Sequence, residues 1–292
     1  MSALKNWIMA FRPKTLTASV APVLIGTSMA YGDGLWHAPT AALCLVAALL
    51  IQIGTNLAND YFDFKKGTDA ADRIGPVRVT QAGLIQPQVV KWSFIISFIL
   101  ALFCSVILVQ RGGSSIGILA IICVLSGFFY TAGPRPLGYL GLGDIFVFIF
   151  FGPVAVGGTY YLQTFELNYA VIMAGFGPGL ISMAILAVNN YRDIDSDRRS
   201  GKKTLAVRFG RSFAQYEYAA SILLAAIVPV MIYLLILDHQ SILYATTVGL
   251  LALPGIKAVF SSIDGPILNK TLGYTGLILL IYSILFSIGW IL

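Results

Sequence analysis

Apolar residues gather into nine long stretches, at roughly 14–31, 38–57, 90–110, 114–131, 143–162, 168–190, 213–237, 242–260 and 272–292. A helix that crosses a bilayer takes about 20 mostly apolar residues. The pattern therefore predicts an all-α fold class, a polytopic membrane bundle of nine transmembrane helices forming one domain over residues 1–292. Gly and Pro fall inside several stretches, among them Pro22, Gly54, Gly152, Pro153, Gly175 and Pro178. Such residues suit helices that bend or approach one another closely in lipid.

The polar positions between the stretches are unevenly distributed. With the N-terminus in the cytoplasm, eighteen of the nineteen Lys and Arg lie at or near one face, and Arg111 alone lies opposite, with Asp33, Glu166, Asp238, His37 and His239. Cytoplasmic loops carry the basic excess, so this asymmetry predicts an N-in, C-out topology. Composition agrees: the chain is 58% hydrophobic and 11% charged, with a mean hydropathy of +0.83, whereas a soluble domain carries roughly a quarter charged residues. The net charge is +6, but the basic residues are bunched between apolar runs, which argues against a nucleic-acid partner and for membrane lipid. Cys44, Cys104 and Cys123 lie in apolar stretches without metal-ligand spacing and read as packing residues. A signal peptide ending near Ala30 is disfavoured, because many similar runs follow and Pro22 interrupts the first.

Two connections, near 58–89 and 191–212, are long, polar and on the basic side, and they hold seven of the thirteen acidic residues. One opens with Asn56, Asn59, Asp60 and Asp63 and continues to Asp69, Asp72 and Arg73; the other opens with Asn189, Arg192, Asp193, Asp195 and Asp197 and continues to Lys202 and Lys203. On helices continuing out of the membrane, Asn56, Asp60 and Asp63 align, as do Asn189, Asp193 and Asp197, because residues three or four apart share a face. Laying Asn56 on Asn189 puts Asp60 on Asp193 and Asp63 one residue short of Asp197, which suggests two related half-sites. Carboxylates without His or Cys are hard ligands suited to Mg²⁺, which takes a few carboxylates plus substrate phosphates. The alternative is that these acids cap helices or solvate loops. An Asp at a helix C-terminus opposes the macrodipole, an objection that a bound cation removes. Asn56, Asn59 and Asn189 either orient the carboxylates or bond across helices. Arg73, Lys202 and Lys203 read either as residues that neutralise a metal-bound polyphosphate or as the basic loops that topology alone requires.

These segments resemble the UbiA superfamily of intramembrane aromatic prenyltransferases, and within it the branch that acts on 1,4-dihydroxy-2-naphthoate in menaquinone synthesis. The resemblance is carried by Arg12-Pro13-Lys14-Thr15, Asn59-Asp60-Tyr61-Phe62-Asp63, Asp72-Arg73-Ile74-Gly75-Pro76, Tyr130-Thr131-Ala132-Gly133, Gly141-Leu142-Gly143-Asp144 and the segment from Asn190 to Arg208. It implies transfer of a polyprenyl group from a polyprenyl diphosphate to the naphthoate, with decarboxylation, giving a demethylmenaquinone and pyrophosphate. It implies Mg²⁺ held by Asp60, Asp63, Asp193 and Asp197, with Asn56, Asn59, Asp69, Asn189, Arg73, Arg135, Lys202 and Lys203 around the diphosphate. Tyr61, Tyr130 and Tyr139 are candidates to stabilise an allylic cation with their ring faces. Arg12, Lys14 and Arg192 are candidates for the acceptor carboxylate. Two departures stand out: Gly67 occupies the place of the superfamily's final Asp, with Asp69 two residues later, and Pro134 occupies that of a common Lys, with Arg135 beside it. The expected location is a bacterial plasma membrane with the site facing the cytoplasm. Competing readings are another aromatic acceptor, such as 4-hydroxybenzoate or homogentisate, and a secondary transporter; the second is disfavoured because the polar residues collect at one surface instead of the midplane.

Overall fold

A computed structural model describes residues 3–67, 75 and 77–292. Twelve helical segments, besides a short 3₁₀ turn at Leu137–Tyr139, follow in order among these residues: α1 (Ala3–Phe11), α2 (Pro13–Gly32), α3 (Ala38–Lys66), α4 (Pro87–Gly112), α5 (Ser114–Phe129), α6 (Gly143–Thr164), α7 (Tyr169–Arg192), α8 (Ile194–Arg199), α9 (Leu205–Phe209), α10 (Arg211–Ile236), α11 (Gln240–Ser261) and α12 (Gly265–Ile291). There is no strand among the described residues. Seven of the helices, α3, α4, α6, α7, α10, α11 and α12, are long and apolar enough to cross a membrane. Of the two other predicted spans, α5 is apolar but only 16 residues long. The other, α2, has 20 residues but interleaves Thr15, Thr17, Ser19, Thr27 and Ser28 with its apolar positions.

The largest core joins α2, α6, α7, α10 and α12 through Met29, Val156, Ile181, Val188, Tyr218, Tyr282 and Phe286. A second core packs Ala10, Leu57, Val79, Val90, Phe94 and Phe98, so α1 and the segment after residue 76 sit against α3 and α4. Outward positions are apolar too: Trp92, Ile96, Ile99, Phe103 and Val106 on α4, and Leu223, Leu224, Ile227 and Leu234 on α10, are exposed. Where lipid is the solvent such a belt carries no penalty, and helices then associate through close packing instead of water exclusion.

That packing is close where α6 breaks. Between Phe150 and Val154 the helix widens into a π turn with Gly152 at φ −117°, ψ −114°. Pro153 has no N–H to donate to the ladder. A Cβ on Gly152 would lie 2.6 Å from the Gly175 carbonyl oxygen, and one on Gly175 would lie 2.5 Å from Pro153 Cα. The α6 and α7 backbones touch, and only glycine permits it. The eighth predicted span is also irregular, since α11 begins as a 3₁₀ stretch over Gln240–Thr247.

The two helix ends that carry the acids differ from one another. The helix α3 runs on past the predicted boundary at residue 57 to Lys66, which keeps Asp60 and Asp63 helical. By contrast α7 stops at Arg192, and Asp193 turns the chain (φ −95°, ψ 6°) into α8. Asp197 N–H still bonds to the Asp193 carbonyl at 2.8 Å, so their helical spacing survives the break.

Candidate active site

The ends of α3 and α7 flank one mouth of a cavity of about 410 Å³. Asn56, Asn59 and Asp63 from α3 and Asn189, Asn190, Asp193 and Asp197 from α7 and α8 line its polar end, together with Arg12, Arg78, Lys202, Tyr130 and Tyr139. Val23, Cys44, Leu108, Ile116 and Leu162 line the other end. From Asp63 back to Cys44 along α3 is about 28 Å at 1.5 Å per residue, close to the hydrocarbon thickness of a bilayer. The cavity thus joins a charged head at one membrane surface to an apolar shaft running through the membrane.

Asp63 is the convergence point. Its buried carboxylate accepts the Arg78 guanidinium at 2.9 Å and the Tyr139 hydroxyl at 3.0 Å, and Lys202 Nζ stands 3.6 Å away. The same ammonium lies 3.8 Å from Asp197 and 4.9 Å from the centre of the Tyr139 ring. Lys66 covers that ring as well, at 4.7 Å, and donates to the Thr131 carbonyl at 2.6 Å. Thr131 in turn donates its hydroxyl to the Asn59 side-chain oxygen. These cations offset carboxylates that the α3 dipole alone would disfavour. Gly201, at φ +76°, makes the turn that returns Lys202 to the site, and Lys202 N–H closes it on the Asp197 carbonyl at 2.9 Å. An L side chain at that φ is strained, so the turn calls for glycine.

On the α7 side Arg192 holds Asp193 through two bonds, Nε to Oδ1 at 2.8 Å and a terminal nitrogen to Oδ2 at 2.6 Å. It also reaches Asn189 at 2.8 Å and Asn269 of α12 at 2.6 Å. Near the cavity mouth Asn56 donates to the Phe11 carbonyl at 3.0 Å and to Thr15 at 3.2 Å. That contact fixes the junction of α1 and α2, where Arg12 adopts a left-handed conformation.

The structure places several of the sequence-predicted site residues away from this cavity. Asp60 does not line the cavity; its carboxylate accepts the backbone N–H groups of Val79 and Thr80, each at 3.1 Å. Asn59 and Asp63 line the cavity from one helix, and Asn189 and Asp193 from the other. Arg192 is buried, bound to Asp193 and outside the cavity lining. Lys14 is exposed, its stem lying over Gly273 of α12. Lys203 and Arg135 are exposed and outside the cavity lining; Lys203 contributes its backbone N–H to the Tyr139 carbonyl at 2.9 Å. Tyr61 packs in the aromatic core against Phe62 and Phe94. Asp195 is exposed and paired with Arg211 at 2.6 Å. Asp69, Asp72 and Arg73 lie outside the described residues. Arg78 was not singled out from the sequence, because topology already accounts for a basic residue in that connection.

Among the described residues no three His, Cys, Asp or Glu side chains converge closely enough to hold a metal by themselves. The donors present nevertheless fit a hard dication completed by substrate oxygens: Asp63 and Asp197 face one another, and the Lys202 ammonium already stands between them as a cation.

An all-helical membrane bundle with acids and bases gathered over an apolar shaft defines a class of protein that handles a charged head on a lipid tail. The chain belongs to the UbiA prenyltransferase family, whose pattern matches residues 19–264. It is 36% identical to a 1,4-dihydroxy-2-naphthoate octaprenyltransferase from Haemophilus influenzae, covering 98% of this chain and 96% of the relative. It is 41% identical to the protein of the same name from Escherichia coli, covering 78% of this chain and 76% of the relative. Among solved structures, a UbiA homolog from Archaeoglobus fulgidus superposes with a TM-score of 0.67 at 15% identity, covering 98% of this chain and 99% of that one.

Proposed function

We propose that this protein transfers a polyprenyl group from a polyprenyl diphosphate to 1,4-dihydroxy-2-naphthoate, forming a carbon–carbon bond and releasing pyrophosphate and CO₂. The observation that carries this reading is the cavity itself, with Asp63, Asp193, Asp197, Arg78 and Lys202 at one end and an apolar shaft behind them. The names of the relatives from Haemophilus influenzae and Escherichia coli support the naphthoate as acceptor. A solved UbiA homolog from Archaeoglobus fulgidus bound to DMAPP and Mg²⁺, with a TM-score of 0.64, supports the same fold for such a site.

Asp63, Asp193 and Asp197 would hold Mg²⁺, with the Asn59 and Asn189 amides beside them. When bound, the metal supplies Lewis-acid stabilisation of the charge that develops on the departing diphosphate oxygens. Arg78 and Lys202 supply fixed positive charge to the same oxygens, an electrostatic contribution that grows as the bond to C1 breaks. Tyr130 and Tyr139 line the cavity; the Lys66 and Lys202 ammoniums already cover the Tyr139 ring, which leaves the Tyr130 ring to stabilise an allylic cation at C1. The electron-rich ring carbon then bonds to C1, and CO₂ leaves with the ring electrons restored. No electrons are removed in this step, so the product is the hydroquinone form of a demethylmenaquinone.

The basic asymmetry supports nine spans with N-in, C-out topology, in a single prenyltransferase domain whose acidic segments face the cytoplasm of a bacterial plasma membrane. On this reading the partners are the two substrates and lipid, with no nucleic acid. The deciding experiment incubates membranes containing the protein with the naphthoate, labelled prenyl diphosphates and Mg²⁺, and identifies the lipid product by mass. A prenylated, decarboxylated naphthoquinol is expected. Efficient prenylation of 4-hydroxybenzoate or homogentisate with none of the naphthoate would overturn the assignment.

A further inference from the structure

Asp60 sits in the most conspicuous acidic motif of the chain, yet its buried carboxylate points away from the cavity. Both oxygens are engaged by the backbone: Oδ2 accepts the Val79 N–H and Oδ1 the Thr80 N–H, each at 3.1 Å. Those amides follow Arg78 directly, and Arg78 is the residue whose guanidinium meets Asp63 at 2.9 Å in the cavity. The segment is tied to itself as well. Ala82 N–H reaches the Arg78 carbonyl at 2.9 Å, Leu84 N–H the Val79 carbonyl at 2.9 Å, and Gly83 N–H the Thr80 carbonyl at 3.2 Å. Residues 78–85 therefore form a closed turn that sits on α3 through the Asp60 carboxylate, the Arg78–Asp63 pair and the packing of Val79. Val79 and Thr80 are themselves buried, so no water replaces that carboxylate at their N–H groups.

Chemistry favours a carboxylate here over any other side chain. Two N–H donors approach together, and an ionised Asp is the short side chain that offers two acceptor oxygens and no donor. Asn would present one acceptor and turn an NH₂ group against the second N–H. A residue kept as Asp for this purpose needs no metal.

We infer that Asp60 is a positioning residue and not a metal ligand: it clamps the 78–85 turn to α3 and so holds Arg78 against Asp63, where the donor diphosphate docks. The part played by Arg78 rests on the function proposed above, whereas the seating of the turn by Asp60 stands independently of the substrate.

The test uses the full chain carrying Asp60→Asn, Arg78→Gln, the double substitution, or Asp63→Asn. In detergent, Mn²⁺ affinity followed by paramagnetic resonance is expected to stay within about twofold of wild type for Asp60→Asn and to weaken by about tenfold or more for Asp63→Asn. In membranes, Asp60→Asn raises KM for the prenyl diphosphate by about tenfold and that for the naphthoate by less than about twofold; added to Arg78→Gln it changes donor KM by less than about twofold, because the two act as one unit. In inverted vesicles, trypsin cuts after Arg78 faster in Asp60→Asn than in wild type. The inference is overturned if Asp60→Asn loses Mn²⁺ affinity as Asp63→Asn does, or if its effect multiplies with that of Arg78→Gln. Asp60→Ser serves as a second variant. Failure of both Asp60 variants to accumulate, while Arg78→Gln accumulates, also overturns it, because a clamp on one surface turn must leave the bundle assembled. Wild-type membranes inactive on the naphthoate would instead sink the functional reading, leaving the Mn²⁺ and trypsin results to judge Asp60.

Discussion

Lys202 reaches across the site to Asp63, its ammonium 3.6 Å from the carboxylate, and so joins the loop after α8 to the end of α3. It also lies 3.8 Å from Asp197. One side-chain cation thus occupies the space between acids from both halves of the site, where a dication would compete with it. Lys202→Met should bind Mn²⁺ more tightly than wild type when no donor is present, yet show a raised KM for the prenyl diphosphate. Titration of Mn²⁺ with and without a non-hydrolysable diphosphate analogue separates the two effects. Equal or weaker metal binding in the variant would mean that Lys202 does not share the metal's carboxylates.

Asp63 gathers Arg78, Tyr139 and Lys202 around one carboxylate. Asp63→Ala is expected to lower turnover by about 10²- to 10³-fold, the usual effect of removing one preorganised electrostatic group. Chelation should abolish activity in wild type, with recovery on adding Mg²⁺ or Mn²⁺. Steady-state turnover in EDTA, measured on washed membranes, checks the second statement directly.

Seven of the predicted spans were legible because hydropathy is a one-dimensional property of a chain whose solvent is lipid, and the gathering of Asp63, Asp193 and Asp197 at one cavity was legible because helical spacing survives even the turn at Asp193. Asp60 lies off the cavity for a geometric reason. Asn59 and Asp63, four apart, both line the cavity, while Asp60 is turned about a quarter of the helix away from Asn59, toward a segment nearly twenty residues later. Nothing local indicates which of two adjacent helix faces meets the substrate. Arg78 and Arg192 raise a different difficulty: a basic residue near a cytoplasmic helix end is expected anyway, so only contacts distinguish a cavity residue from a buried counter-ion.

Arg192 illustrates that distinction. It is fully buried at its side chain and bound to Asp193 at 2.6 Å, with further bonds to Asn189 and Asn269. Removing one partner of a buried pair typically costs about 3–5 kcal/mol. Arg192→Gln should therefore lower thermal stability in detergent, and Arg192→Lys should restore little of it, because an ammonium cannot reproduce the planar fork. An Arg192→Gln protein that melts like wild type but has a raised naphthoate KM would return Arg192 to the acceptor site.

Topology is open to a labelling test on α8. Arg198 is 61% exposed at its side chain and lies outside the cavity lining. With Cys44, Cys104 and Cys123 replaced, Arg198→Cys should react with a membrane-impermeant thiol reagent in inverted vesicles and not from outside intact cells. Labelling from outside would reverse the N-in, C-out orientation drawn from the basic asymmetry.

Arg12 lines the polar end of the cavity from the junction of α1 and α2. Its backbone sits at φ 55°, ψ 67°, in the left-handed region, where a residue with a Cβ is disfavoured by about 1–2 kcal/mol. The surroundings hold it there: Asn56 fixes the preceding carbonyl at 3.0 Å, and Thr15 donates both its N–H and its hydroxyl to the Arg12 carbonyl, at 2.9 and 3.0 Å. A glycine would satisfy the same backbone without strain, so the guanidinium is the feature that the position retains at this expense. A planar fork at the mouth suits the acceptor's carboxylate. Arg12→Gly should therefore leave thermal stability within about 1 kcal/mol of wild type, the relieved strain offsetting lost side-chain contacts, while raising KM for the naphthoate more than for the prenyl donor. Arg12→Lys, which keeps the charge and the strained backbone, should raise naphthoate KM less than Arg12→Gly, with kcat nearly unchanged, as expected when uniform binding is lost. A rise confined to donor KM in both variants would move Arg12 to the diphosphate and leave the acceptor carboxylate to another residue.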